Sequence, residues 1–497
     1  MTKGKLLAVC LLWLVVLGVG AAVWRLYLAP AREQQQLGKT SADSRYRHQI
    51  DFALDSFSGY AVLRSQDFRN ELAKKRIKVD LVDDAADYSE RIEALKSGEV
   101  QMAVFTIDAL IKASADLGEL PATIVAVIDE TRGADAMVAY KKAIPNVDAL
   151  NDPRTKFVLT PDSPSETLAR VVVAHFQLDA LGPDPFIHAA DAEDVYKRYR
   201  TADPDTHQVF VLWEPYVSKV LENPNAHVVV DSSKFRGYIV DVIVAGRNFL
   251  AKNPDAVADV VEAYFRAFFA NHGKMVQLVL DDARTLGAPL TPSQAEHLVE
   301  GVWWKNTQEN YAHFGIHDGT GLQHLEDMID NIDAVLLRSG GISTDPTDGR
   351  PHLLYYDKVL RRLQDMNFHP GAESIRDDSE LPALSQLEWD GLVPVGTMEV
   401  PPLVFARGTT TLTQKSQIML DDLVQKLQTW PQYYVLIRGN ASLRGDLELN
   451  TQLALDRAKA AEQYLTRSGI NKNRVRAVGG TPSGATSVSF VLGQTPY

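Results

Sequence analysis

The chain carries a single cysteine, Cys10, among its 497 residues. An intramolecular disulfide and any cysteine-built zinc or iron–sulfur site are thereby excluded. Positive charge is also short: 51 Lys and Arg stand against 64 Asp and Glu, a formal net charge of −13. Broad nucleic-acid binding needs a basic face to neutralise phosphates, and this balance argues against one. The 12 histidines are scattered, with neither an H-E-x-x-H nor an H-x-H cluster, so nothing supports a histidine-built metal site. No G-x-S-x-G elbow, P-loop, G-x-G-x-x-G fingerprint or paired-carboxylate signature stands out. The expectation is therefore that the chain is not an enzyme and carries no cofactor.

Apolar material is plentiful. Hydrophobic residues make up 45% and charged residues 23%, enough for ordinary cores in roughly two to four domains of about 150 residues. One uncharged run begins at Leu6 and ends at Trp24. As a helix at about 1.5 Å per residue it spans about 28 Å, close to the ~30 Å of a hydrocarbon core. It leaves through Trp24, Arg25 and Tyr27, which suit an interfacial anchor better than a signal-peptidase site, although Gly20-Ala21-Ala22 keeps cleavage open. Lys3 and Lys5 before the run and Arg25 and Arg32 after it leave the charge rule nearly balanced. Residues 29–46 are polar and aperiodic and read as a tether.

Between about 47 and 370 the pattern alternates strands and helices, which argues for an α/β region with a largely parallel sheet. Ile50 to Leu54, Ile77 to Val82, Val100 to Phe105, Lys156 to Leu159 and Gln208 to Leu212 read as strands. In such sheets ligands bind beyond the carboxyl ends of the strands. Four segments supply that edge: Ser56, Phe57, Ser58 and Tyr60; Thr106 and Asp108; Ser163, Ser165 and Thr167; Trp213 and Glu214. Each has a plainer reading. Ser163 and Glu166 form a capping box before Pro164, Thr106 and Asp108 make another cap, and Trp213 serves as core. Their agreement at successive strand ends favours a ligand edge.

The ordered set Asp55-Ser56-Phe57-Ser58-Gly59-Tyr60, Leu95-Lys96-Ser97-Gly98-Glu99, Gly133-Ala134-Asp135, Pro161-Asp162-Ser163-Pro164-Ser165, Trp213-Glu214-Pro215 and Asn253-Pro254-Asp255 resembles periplasmic solute-binding proteins of the nitrate/sulfonate/taurine type, thiamine-precursor binders included. The resemblance implies a type II binding-protein fold: two α/β lobes joined by crossing strands, the second near 141–245, closing by a hinge on a small solute. Asn253 would cap the helix that Pro254 opens, with Val257, Val260, Val261, Tyr264 and Phe268 on its buried face. Ligand chemistry stays open. With no evident Arg clamp, an oxyanion would rest on helix termini and hydroxyls. Alternatively Glu214, Asp108 and Asp135 would accept from an amine, with Trp213 or Phe57 stacked on it.

Residues 371–394 are acidic and read as a linker; 395–497 form a small α/β unit with strands at 434–439, 475–479 and 487–491. Gly439, Gly445, Asn450, Leu453, Arg457 and Ala458 match, without insertion, the G-H-T-D-x-x-G-x-x-x-x-N-x-x-L-S-x-x-R-A pattern of OmpA-like peptidoglycan-binding domains. The resemblance implies a site at Asn440, Ser442, Asn450, Leu453 and Arg457 for the zwitterionic end of diaminopimelate. Asn440, Ala441, Ser442 and Ala454 depart from the family's His, Thr, Asp and Ser. Arg457 can still meet a carboxylate, but Ser442 brings no charge to the ammonium; losing such a partner costs about 1.5–3 kcal/mol, roughly 10- to 150-fold in affinity.

The expected whole is an α/β protein with a transmembrane anchor (1–28), a linker (29–46), a two-lobed solute-binding domain (47–370), a second linker (371–394) and an OmpA-like domain (395–497). It would sit in a bacterial inner membrane with its bulk in the periplasm, contacting a small-molecule solute and peptidoglycan, with an ABC permease or envelope complex as a further partner. The alternative is a non-catalytic scaffold whose two sites have degenerated.

Overall fold

The computed structural model describes residues 46–495, apart from 177, 179, 318–321, 372–380, 399, 401–402, 407, 430–432, 444 and 481–486. The expected anchor, the tether up to residue 45 and the acidic stretch 372–380 lie outside the described residues. No helix among the described residues is long and apolar enough to cross a membrane.

The chain begins with β1 (His48–Leu54), β2 (Ile77–Asp83), β3 (Met102–Thr106) and β4 (Ala122–Thr131). It then crosses to a second sheet built from β5 (Asp135–Tyr140), β6 (Lys156–Leu159), β7 (Phe186–His188), β8 (Gln208–Trp213) and β9 (Ala226–Asp231). It returns through β10 (Val240–Gly246) and β11 (Val302–Trp304) to the first. The six-stranded first sheet has the order β11-β4-β10-β3-β1-β2, and the five-stranded second sheet β7-β6-β8-β5-β9. Two α/β lobes joined by two crossing segments follow directly.

The first sheet is mixed, not largely parallel. β1 pairs in parallel with β2 and β3, whereas β10 runs antiparallel to β3 and β4, and β11 antiparallel to β4. The cause is topological: a strand returning from the other lobe enters from the cleft edge and must run backwards. The same crossings shift the second lobe from the expected 141–245, because β5 already belongs to it and β10 does not. β4 (ATIVAVIDET) is buried along its whole length, as an apolar run covered on both faces should be.

The helix Pro254–Asn271 starts at the expected proline and buries Val257, Val260, Val261, Tyr264 and Phe268. Asn253, however, makes no side-chain cap; its amide donates to the Phe249 carbonyl. The helix Thr307–His313 carries a full capping box between Asn306 and Glu309, and its Asn310 bonds both the N–H and the C=O of Val127. That side chain serves the β4 backbone just past the reach of β11, which pairs only with Asp129 to Thr131.

At the carboxyl terminus β12 (Val393–Met398), β13 (Tyr434–Asn440), β14 (Val475–Gly479) and β15 (Ser487–Gln494) form a four-stranded sheet, order β12-β15-β13-β14, with the helices Gln414–Thr429 and Leu447–Arg467. Gly439 is required where the second helix crosses, since a Cβ there would lie 2.1 Å from the Ala454 carbonyl oxygen. This unit is seated on the rest of the chain. Tyr433, fully buried, lies edge-on to Phe176, at the end of the helix Pro164–His175, and to Phe235 on the return crossing.

Candidate functional site: the interlobe cleft and the carboxyl-terminal pocket

Strand ends and helix starts of the two lobes meet directly. Asp108 sits in the first turn of the helix Ile107–Leu117 of lobe one, and Thr167 on the helix Pro164–His175 of lobe two; the Thr167 hydroxyl donates to the Asp108 carboxylate. A second bridge pairs Lys112 with Asp162, and a third sets His297 3.5 Å from Glu214. The lobes are therefore closed on one another.

The expected capping boxes are not what hold these turns. Ser163 donates to the Thr160 carbonyl at 2.7 Å and makes no side-chain cap. Glu166 accepts from the Asp162 N–H and pairs with Arg170 at 2.5 Å; burial works to raise its pKa, but Arg170 and Lys112 outweigh it. Thr106 likewise makes no side-chain cap, although it stands at the helix start. Sequence spacing identified the helix starts but not the partners of the two carboxylates, Arg170 for Glu166 and the Thr167 hydroxyl for Asp108.

The remaining expected cleft residues fall into two groups. Tyr60, Thr106, Asp108, Ser163, Ser165, Thr167 and Glu214 are buried, whereas Phe57, Ser58 and Trp213 are half-buried and Ser56 is exposed. Phe57 lies edge-on to Tyr60, and Trp213 packs against the core of the second lobe, so its expected core role and its cleft position coincide. Glu214 accepts from the Ser218 hydroxyl at 3.0 Å, and burial raises its pKa.

Two acidic residues escaped the sequence reading. Asp129 and Asp241 face each other on β4 and β10, and Asp241 also stands opposite Thr106 on β3, so the three share one face of the sheet. The Tyr60 hydroxyl donates to Asp241. Burial, then the mutual repulsion of the two carboxyls, raises Asp129 well above the carboxylate range; burial takes Asp241 up to about 7 against the pull of Tyr60. Asp135, at the start of β5, is pushed up to about 8 by burial, with Asp241, Asp108 and Glu214 adding to the rise. The available signal was an Asp inside an apolar strand run, Ile128-Asp129 and Val240-Asp241-Val242.

Positive groups lie on another face. Glu130, next to Asp129 in the strand, points the opposite way and pairs with Lys305 at 2.8 Å. Arg132, Arg236 and Lys305 all lie over the Trp303 ring. A cavity of about 10 Å³ there, lined by Glu130, Arg132, Ser232 and Arg236 among others, has room for about one water. Among the described residues, no cluster of three or more His, Cys, Asp or Glu has metal-holding geometry.

In the carboxyl-terminal pocket Asn440 donates to Ser487 at 3.0 Å, and Asn450 donates to the Ser442 carbonyl at 3.2 Å. Arg457 pairs with neither Asp456 nor Glu448. Its Nε donates to the Thr409 carbonyl at 3.1 Å and its guanidinium lies 4.9 Å from the Phe405 ring centre. Asp446 caps the helix Leu447–Arg467 through the Leu449 N–H, so it does not replace the charge missing at Ser442. Leu453 is half-buried on the same helix.

The comparisons with known proteins divide along the same line. Residues 404–486 match the OmpA family. Peptidoglycan-associated lipoproteins of Rhizobium meliloti and Brucella melitensis are 34% and 33% identical over 76 residues, which is 15% of this chain and 43% and 45% of theirs. The chain thus spans less than half the length of these curated relatives. Among solved structures, the periplasmic aliphatic sulphonate binding protein of Escherichia coli matches with a TM-score of 0.47 at 15% identity, over 63% of this chain and 99% of its own. The periplasmic nitrate-binding protein of Synechocystis matches with a TM-score of 0.46 at 10% identity, over 64% and 89%. The chain carries an OmpA domain at its carboxyl terminus, behind a two-lobed α/β region similar in structure to periplasmic solute-binding proteins.

Proposed function

We propose that this is an envelope-held binding protein: the two lobes close on a small solute, the OmpA domain contacts peptidoglycan, and the run from Leu6 to Trp24 anchors the chain in the inner membrane. The observation that carries the solute reading is the meeting of the lobes' polar ends, Thr167 on Asp108 and Lys112 on Asp162, around buried side chains from both crossings. Supply to an ABC permease, or sensing, is the role such closure serves. Native mass spectrometry and thermal melting of the full chain test it. A solute at a hundredfold excess over its Kd adds about 2.7 kcal/mol of stability, and a chain that neither carries nor responds to any small molecule refutes the reading. Topology reporters fused after residue 50 test the anchor; signal from the cell interior alone overturns it.

One observation favours a second reading for the wall contact. Arg457 is engaged by the Thr409 carbonyl and the Phe405 ring, and no carboxylate stands at Ser442. In that reading the OmpA domain docks a protein of an envelope complex and the chain is a scaffold. Co-sedimentation with purified sacculi separates the two. Retention that falls about tenfold or more in Arg457→Ala supports the wall contact, and equal retention supports the scaffold.

A further inference from the structure

The cleft edge has an unbalanced charge inventory. Asp108, Asp129, Asp135, Asp241 and Glu214 are all buried there, on the helix start after β3, on β4, on the outgoing crossing, on β10 and beyond β8. Two of the cations near them have other partners, and a third, His297, faces Glu214 itself from an exposed position. Arg91 is held by Asp84 and Asp55, and Lys305 by Glu130. Burial is expensive for an anion, and it raises the pKa of every one of the five.

A second observation is independent of the acids. The hydroxyls of Ser165 and Tyr264 are fully buried with no hydrogen-bond partner, and Tyr264 lies within the field of Asp129 and Asp241. Native structures leave few such groups unless something else satisfies them. Apolar surface stands beside them: a Cβ on Gly59 would touch both the Phe57 ring and Asp129, and Trp213 is the register partner of Asp135.

We propose that the cleft takes a small organic ammonium compound, its charged nitrogen set among Asp108, Asp135 and Asp241 and its carbon body against Phe57 and Trp213. The inference rests on the solute-binding reading and names the class of solute. An oxyanion is served less well: among the described residues the Arg132, Arg236 and Lys305 group lies with Glu130 on the opposite side of the strand, and Arg91 is held by Asp84 and Asp55. Buried hydroxyls and carboxylates accept from an ammonium, and aromatic faces attract it. Binding must displace protons. Asp135 is surrounded by Thr131, Asp241, Asp108 and Glu214, and Asp241 by Tyr60, Asp129, Asp55 and Asp108, so each charges only when a cation arrives or the pH rises. Affinity therefore increases with pH, about tenfold per unit for each proton released, up to about pH 8.

The test uses the full chain. Molecules co-purifying with it are identified by native mass spectrometry, and calorimetric titrations use choline, ethanolamine and putrescine against nitrate and methanesulfonate at about pH 6 and about pH 8. A bound amine, tighter at the higher pH, with proton release, supports the proposal. Asp108→Asn and Asp135→Asn should each weaken it about tenfold or more. Melting at about pH 8 checks their folding, where exchanging a buried carboxyl for an amide leaves Tm equal or higher. A neutral or anionic ligand, or amine binding insensitive to pH, overturns the proposal while leaving the solute-binding reading standing. No ligand in any arm overturns both.

Discussion

Replacing Lys305 with methionine should be among the most damaging single changes in the chain. Lys305 is 0% exposed and Glu130 2%; their ion pair is 2.8 Å long, the other Glu130 oxygen accepts from the Gly237 N–H at 2.7 Å, and the ammonium lies over the Trp303 ring. The partners respond unequally. Burial pushes Glu130 up, but Lys305 and Arg236 outweigh it and hold it at about 2. Burial of the Lys305 ammonium outweighs Glu130 and Glu309, so its pKa falls. The geometry favours the ionised pair, with the attraction largely offset by desolvation. The pair itself then contributes little, whereas breaking it strands a buried carboxylate and costs about 3–5 kcal/mol. For a lobe of this size that lowers Tm by roughly 10 °C. Urea unfolding followed by circular dichroism reads it, with Glu130→Gln and the double variant completing the cycle. The double variant should recover about 2 kcal/mol or more relative to Lys305→Met alone. A loss under about 1 kcal/mol in Lys305→Met, or strict additivity in the double variant, refutes the reasoning.

The pH dependence should show two windows of opposite sign. Asp135 and Asp241 have folded pKa values of about 8 and about 7, above the unfolded 3.8, so the empty protein binds more protons folded than unfolded and loses stability as pH rises between roughly 4 and 8. Glu130, lowered to about 2, acts in reverse: its contribution is present above about 4.5 and disappears as pH falls toward 2. Melting curves from about pH 3 to about pH 9 should show a maximum in the acidic range, and stability rising steadily toward pH 8 would contradict the carboxyl cluster. Gly439→Ala should destabilise the carboxyl-terminal unit by about 1–3 kcal/mol, because the clash is with backbone. Chemical denaturation followed at Trp389, which packs on Tyr434 in that unit, would detect it, and an unchanged midpoint would rule out the close crossing.

Much of the α/β layout was legible because strands such as Lys156–Leu159 and Val475–Gly479 are short apolar runs with turn residues at both ends. Helix starts at Pro164 and Pro254 were equally plain. What sequence spacing could not supply was direction and partnership. Nothing local in Val240–Gly246 says that it runs antiparallel between β3 and β4, because that orientation is imposed by the return from the other lobe. The same holds at the cleft. Asp108 and Asp135 were visible as strand-end acids, but Asp129 and Asp241 become a pair only through the register of strands more than a hundred residues apart. At the carboxyl terminus the register of Arg457 was clear, whereas its hold on the Thr409 carbonyl depends on a loop that precedes it by 48 positions.

The aromatic seat under Tyr433 has a mechanical consequence. Phe176 ends a lobe-two helix and Phe235 lies on the return crossing between the lobes, so both would move in the proposed opening. Any opening must therefore drag Tyr433 along or prise three rings apart. In the proposed reading, what fills the cleft would therefore bear on how the OmpA domain is carried.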